Sequence, residues 1–168
     1  MMRLMTRSIT TAAVMYAVTV SNAPAQAARP NFTGVWVLDV SHSEASAGMP
    51  SAATWTITQH GDTLVSDRET TIEGAGAITS HVVIGIDGKL WKNTVSQPGM
   101  GEIETSTVAS WDNGVLVIAT SGNVQGTDFV QTDRWTLGAD GKSIVSRRSV
   151  MVEGQEVQSA TFTLARKS

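Results

Sequence analysis

Four residues carry the chemistry that this chain offers: Arg68, Gln131, Asp133 and Arg148. Each stands among apolar residues in a run that alternates with period two. Phe129, Gln131, Asp133, Trp135 and Leu137 share one face of a strand-like run, and Ile144, Ser146, Arg148, Val150 and Val152 share a face of the next. Leu64, Ser66 and Arg68 repeat the pattern earlier. If these faces point inward, the charges enter an apolar interior, where they must be paired or wet. Two outcomes are open. The arginines meet a carboxylate or enol-like end of an otherwise apolar ligand, or Asp133 and Arg148 form an internal ion pair that binds nothing. Were the interior an isomerase or cyclase site, Asp133 and Gln131 are the candidates to act, since a shaped apolar cavity and one acid can suffice.

Trp91, Asn93 and Val95 share a face, as do Ile103, Thr107 and Trp111. An aromatic wall with a few hydroxyls and amides fits a pocket for a small apolar molecule, and equally an ordinary β core. The candidate ligand-binding set is therefore Arg68, Trp91, Asn93, Trp111, Asp133 and Arg148. His42, His60 and His81 match no zinc spacing, so neither metal nor cofactor is expected. No Ser lies in a G-x-S-x-G elbow, and no Gly-rich loop has a phosphate-binding context. Glu102 and Glu104 alternate onto one face with Ser106, which reads as solvent-facing rather than as a pair of acids at work.

The elements that must position these residues are signalled by a repeat. Trp55–Arg68, WTITQHGDTLVSDR, aligns without a gap on Trp135–Arg148, WTLGADGKSIVSRR. Trp, Thr, Gly, Val, Ser and Arg are identical, and Ile57/Leu137 and Leu64/Ile144 are near-equivalent. Each copy places a Gly-containing polar turn between alternating arms, the pattern of a β-hairpin. The rest follows suit. Strands are expected at 34–40, 55–59, 63–68 (continuing to 73), 78–86, 90–97, 102–111, 115–120, 128–137, 143–152 and 156–166, with Asp87-Gly88 read as the turn of a hairpin. Residues 41–53 lack strand character and suit a short helix, a lid over one end or a plain loop. Pro30, Pro50 and Pro98 fall outside these strands, as a sheet requires. The fold class is all-β, an antiparallel up-and-down meander of nine to ten strands. Closing it into a barrel or half-open clamshell removes both edges, and a two-sheet sandwich is the alternative.

Residues 1–27 read as a secretory leader rather than as part of the fold. Arg3 and Arg7 precede an uncharged stretch, and Ala25-Gln26-Ala27 offers small residues for cleavage. The middle is too short and Thr-rich to span a bilayer. Residues 28–168 then form one domain, exported to periplasm or medium. Losing those two arginines takes the formal net charge from −3 to −5. Scattered acidic charge argues against nucleic acid or an anionic membrane as partner, and no stable membrane insertion is expected. The absence of Cys means that a core must supply the stability. A monomer or weak homodimer is expected.

Three scattered segments add a resemblance: Asn31-Phe-Thr-Gly34-Val-Trp36 near the start, Gly126-Thr127-Asp128-Phe129 later, and Arg166 near the end. Together over 31–166 these resemble the sparse signature of lipocalins and the wider calycin group. The resemblance implies a barrel whose base is closed by Gly34 and Trp36, with Thr127, Asp128 and Phe129 in the loop and strand bordering that base. It implies too that Arg166, or else Arg148, covers the Trp36 indole, as a cation–π contact can. These roles are structural, and architecture alone assigns no function. From the residues, the expectation is non-enzymatic binding of a small, largely apolar molecule, with Arg68 or Arg148 fixing its polar end. A barrel enzyme and a cavity-free domain for protein or envelope contacts are the alternatives.

Overall fold

The computed structural model describes residues 29–74, 76–97 and 101–168. The leader segment and Pro98 lie outside them. The described residues form eleven strands: β1 (Gly34–Leu38), β2 (Glu44–Ala45), β3 (Ala52–His60), β4 (Thr63–Ile72), β5 (Gly76–Gly85), β6 (Leu90–Gln97), β7 (Gly101–Asp112), β8 (Val115–Val124), β9 (Thr127–Leu137), β10 (Ser143–Val152) and β11 (Gln155–Arg166). Ten of them run antiparallel in the order β5-β4-β3-β1-β11-β10-β9-β8-β7-β6. This is a nearly closed barrel, not a sandwich. The only helical piece among the described residues is a 3-10 turn at Val40–His42.

Period-two alternation gives each strand one apolar face, and closure turns all of those faces inward. Ile57, Leu64, Leu116, Trp135, Ile144 and Leu164 are essentially sealed from solvent. One end is plugged by aromatics. Phe32 stacks on Trp111 at 6.0 Å and meets Trp135 edge-on at 5.7 Å. Beside them Trp36 is fully buried, with Nε1 donating to the Phe32 carbonyl at 2.9 Å. Arg166, directly across the ladder from Trp36, holds its guanidinium 4.4 Å from the indole centroid. It also donates to the carbonyls of Thr33 (3.0 Å) and Gly141 (2.9 Å), tying two loops to the base. Gly34 must be Gly: its φ is +153°, and a Cβ there stands 2.6 Å from Arg166 Nη1. Arg166, not Arg148, covers the tryptophan.

Two expectations for the chain's course need correction. Thr127 and Asp128 do not border the base. The ladder pairs Leu137 with Ile144 and Trp135 with Leu116 near the plug, so the β8–β9 turn lies a strand's length away at the opposite rim. There Asp128 accepts from Asn123 Nδ2 at 2.7 Å, a turn contact, and Phe129 faces the interior. Secondly, β5 and β6 do not form a hairpin ladder. Among the described residues they are neighbours without backbone pairing, and they leave the one seam in the barrel. The backbone around the Asp87-Gly88 turn bonds to distant partners instead: Gly88 N–H donates to the Ala109 carbonyl (2.9 Å) and Ile86 N–H to that of Asp62 (2.8 Å).

The segment 41–53 resolves into something more specific than a loop. Asp39 caps the 3-10 turn, accepting from the His42 N–H, and Ser41 Oγ donates to it at 2.6 Å. These bonds favour the anion, and together with the adjacent His42 they hold the Asp39 carboxyl below its usual range. β2 then pairs with Ala160 and Thr161 of β11, continuing the edge that β1 begins at residues 164–166. Beyond it Met49 packs on the core and buried Pro50 lines the cavity. The segment thus combines a short helical turn, a two-residue strand in the barrel wall and a loop, rather than taking any one of the three forms.

Candidate functional site

Above the aromatic plug the barrel holds a cavity of about 290 Å³, at the small end of ligand pockets. Its walls are mostly aliphatic, from Leu38, Ile78, Val82, Ile84, Val95, Ile103 and Ile118, with Phe129 and Phe162. Trp55 lines it too, its ring 5.4 Å from that of the fully buried Trp135. Into this apolar space project Arg68, Asp133, Arg148 and Gln131, all four lining the cavity. The inward orientation expected from alternation is what the barrel shows.

Of the two outcomes weighed for these charges, the internal Asp133–Arg148 ion pair forms, and it leaves Arg68 outside it. Arg148 Nε donates to Asp133 Oδ1 at 2.8 Å, and the carboxylate is 4% exposed at residue level. Gln131 Nε2 donates to the other oxygen at 2.6 Å. Asp133 is thus held from both sides. Arg68 has no such partner. Its Nε donates to Ser66 Oγ at 2.9 Å, and among the described residues its other N–H groups make no hydrogen bond to protein. The guanidinium lies 4.4 Å from the Trp55 centroid and 5.3 Å from that of Trp135. A cation over two indoles gains something on the order of 1–2 kcal/mol, short of what burial of an unpaired charge costs. Burial pushes the Arg68 pKa down from its usual value to about 10, opposed by the attraction of Asp133 and reinforced by repulsion from Arg148. The cavity therefore carries two guanidinium charges against one carboxylate, with unsatisfied donors on Arg68. That balance makes the cavity electrostatically complementary to an anion.

The repeat explains how two like hairpins deliver unlike arginines. In the first, Trp55 lies opposite Arg68 and Ile57 opposite Ser66. In the second the ladder is offset by two residues, so Trp135 lies opposite Ser146 and Asp133 opposite Arg148. An offset of two preserves which face each side chain takes while changing its cross-strand neighbour.

Three of the six ligand-binding candidates do not line the cavity. Trp91 and Asn93 occupy the seam instead. The Trp91 indole lies so close over Gly85 that no side chain fits between them, and Asn93 Oδ1 accepts from the Val83 N–H at 3.3 Å. Where two strands lack a ladder, side chains must fill the space and take up backbone donors. Trp111 belongs to the plug, stacked on Phe32. Residues not singled out for the site are Trp55, Thr70, Ser80, Thr105 and Thr120 on the cavity wall. Of these, Thr105 shares its face with Ile103 and Thr107, so its inward aim was readable. His42, His60 and His81 are exposed and apart, and Glu102 and Glu104 face solvent. Among the described residues no three His, Cys, Asp or Glu side chains gather as a metal site.

The sequence matches no protein-family model and no curated protein. Solved structures do resemble it. The apo lipid binding protein 8 of Caenorhabditis elegans aligns at 14% identity over 81% of this chain and 95% of that one, with a TM-score of 0.53. A Schistosoma mansoni fatty acid binding protein in complex with arachidonic acid aligns at 14% identity over 82% and 96%, TM-score 0.46. Secretory abundant heat soluble protein 4 from Ramazzottius varieornatus aligns at 12% identity over 82% and 96%, TM-score 0.45. At such identity the first likeness is one of fold, and the other two are looser still. The ten-stranded barrel is calycin-like, with more strands than the eight of a lipocalin.

Proposed function

We propose that this protein binds, without transforming it, a small and largely apolar molecule that ends in an anion. The observation that carries the reading is Arg68, a half-buried cation lining an aliphatic cavity, with donors that no protein group takes up among the described residues and no carboxylate of its own. A ligand carboxylate there gains charge-assisted hydrogen bonds worth about 1.5–3 kcal/mol, while its chain replaces water along the wall. The fold shared with a lipid binding protein of Caenorhabditis elegans lends support. A barrel isomerase draws none, because both oxygens of Asp133 are already engaged by Arg148 and Gln131. The leader-like residues 1–27 support an exported setting, periplasmic or extracellular. N-terminal sequencing of the secreted chain checks that part.

The binding test is a fluorescence titration read from Trp55 and Trp135, comparing dodecanoate with its methyl ester. The carboxylate is expected to bind about tenfold or more tightly than the ester, a difference of the size one charge-assisted bond supplies. Arg68→Met is expected to abolish that difference. Equal affinity for acid and ester, or no binding of either, refutes the proposal.

A further inference from the structure

The cavity is not uniformly apolar away from Arg68. Gln131, Thr120 and Thr107 are consecutive cross-strand neighbours on β9, β8 and β7, and all three line the cavity. Thr105 adds a fourth polar group one step along β7. This belt crosses the wall between the anchored Asp133 and the seam. Thr107 is 2% exposed and Thr105 7%, and Thr120 and Gln131 are half-buried.

Its hydrogen-bonding capacity is only partly used. Thr105 Oγ1 donates to the Asn93 carbonyl at 3.3 Å. Thr107 and Thr120 share one hydrogen bond at 3.1 Å, so one of the two hydroxyl protons is spent and the other is spare. Gln131 commits its Nε2 to Asp133, and its Oε1 accepts nothing among the described residues. The belt therefore offers a carbonyl acceptor, hydroxyl lone pairs and one spare donor, side by side. A plain alkyl chain laid against them removes their water and returns nothing, a cost that falls on each group left unpaired. A ligand hydroxyl donates to Gln131 Oε1 or a Thr oxygen and accepts the spare Thr proton. A site with such groups discriminates strongly between ligands that do and do not satisfy them.

Resting on the anion reading above, we propose that the ligand is a hydroxylated acid: an apolar chain with its carboxylate at Arg68 and a hydroxyl group at the Gln131–Thr120–Thr107 belt. The ligand class is thus a two-point amphiphile rather than a simple fatty acid.

The test titrates the wild-type protein with dodecanoate and with its monohydroxylated positional isomers. At least one isomer is expected to bind about tenfold more tightly than dodecanoate, the gain of one well-placed hydrogen bond. The double variant T107V/T120V exchanges both hydroxyls for methyls of similar shape. It is expected to lose the preference, binding the favoured isomer no more tightly than dodecanoate, and T107S/T120S is expected to keep it. Should every isomer bind no better than dodecanoate in the wild type, the belt proposal is overturned while the anion reading stands. A preference undiminished in a folded T107V/T120V overturns it too. If dodecanoate itself does not bind, both readings fall. The wild-type comparison decides even if the valine variant does not fold.

Discussion

The Trp55–Arg68 and Trp135–Arg148 hairpins share a sequence pattern and differ in what their arginines do. The first turns through two residues, Gly61 and Asp62, between β3 and β4. The second turns through residues 138–142, a longer loop closed by Gly138 N–H to the Ser143 carbonyl and clamped by Arg166 on Gly141. The longer turn moves the register by two and puts Asp133 opposite Arg148. The residue equivalent to Asp133 in the first hairpin is Ala53, which lines the same cavity and brings no charge. One arginine is therefore a structural ion and the other is available. A repeat in sequence has fixed which faces point inward, and the turns have fixed the partners.

Removing Asp133 breaks this contrast from the structural side. Asp133→Ala leaves Arg148 without its counter-ion and Gln131 without its acceptor, and destabilisation of about 3 kcal/mol is expected in urea unfolding, as for other broken buried pairs. Arg68→Met is expected to do the reverse: stability unchanged or raised, because an uncompensated charge is removed, with carboxylate affinity down about tenfold to a hundredfold. If the two variants lost stability equally, the division of labour between the arginines would be wrong. Arg148→Met should resemble the Asp133 variant in unfolding, since each strands the other's charge.

How much of this was legible in the sequence follows from the same distinction. Alternation fixed the inward aim of Arg68, Gln131, Asp133 and Arg148, because period two is a local property of one strand. The base was legible by a different route: the roles of Gly34, Trp36 and Arg166 came from the resemblance to the calycin signature, not from alternation. Partners set by long-range geometry were not. Asp87-Gly88 is a good local turn, yet Ala109 and Asp62 claim the N–H groups around it and open a seam that draws in Trp91 and Asn93. Trp111 alternates with the cavity residues Ile103, Thr105 and Thr107, but two residues past Ala109 it has reached the plug. Height along a strand, unlike face, cannot be read without knowing where the barrel's floor lies. Thr127-Asp128 was misplaced in the same way, at the wrong end of a correctly drawn strand.

Copying the second hairpin's charge into the first is the direct way to sharpen the comparison. In Ala53→Asp the new carboxylate stands diagonal to Arg68, since Ala53 pairs with Thr70 and Arg68 with Trp55. Diagonal neighbours lie within reach of a long side chain. The variant should cut the preference for dodecanoate over its ester about tenfold, leaving affinity for the ester nearly as it was. An undiminished preference would mean that the missing carboxylate at position 53 is not what leaves Arg68 available.

The smallest effect expected is on pH dependence, and its sign is fixed by the direction of the Arg68 shift. Burial disfavours the charged form and brings the folded-state pKa down from its ordinary value to about 10. Below that value the guanidinium is charged and holds an anion. As pH rises through about 10 the charge is lost, and the acid-over-ester preference of the wild type should shrink, whereas Arg68→Met should show no such trend. Stability runs the other way. A base with a depressed folded-state pKa destabilises the native state while it is charged, and that cost is relieved as pH climbs from about 10 toward the unfolded value. Arg148, whose charge Asp133 matches, supplies the internal control. In Arg148→Met the alkaline loss of preference should persist, because the residue that titrates is the unpaired Arg68. A preference that stayed flat in the wild type across this range would place the anion on some other cation.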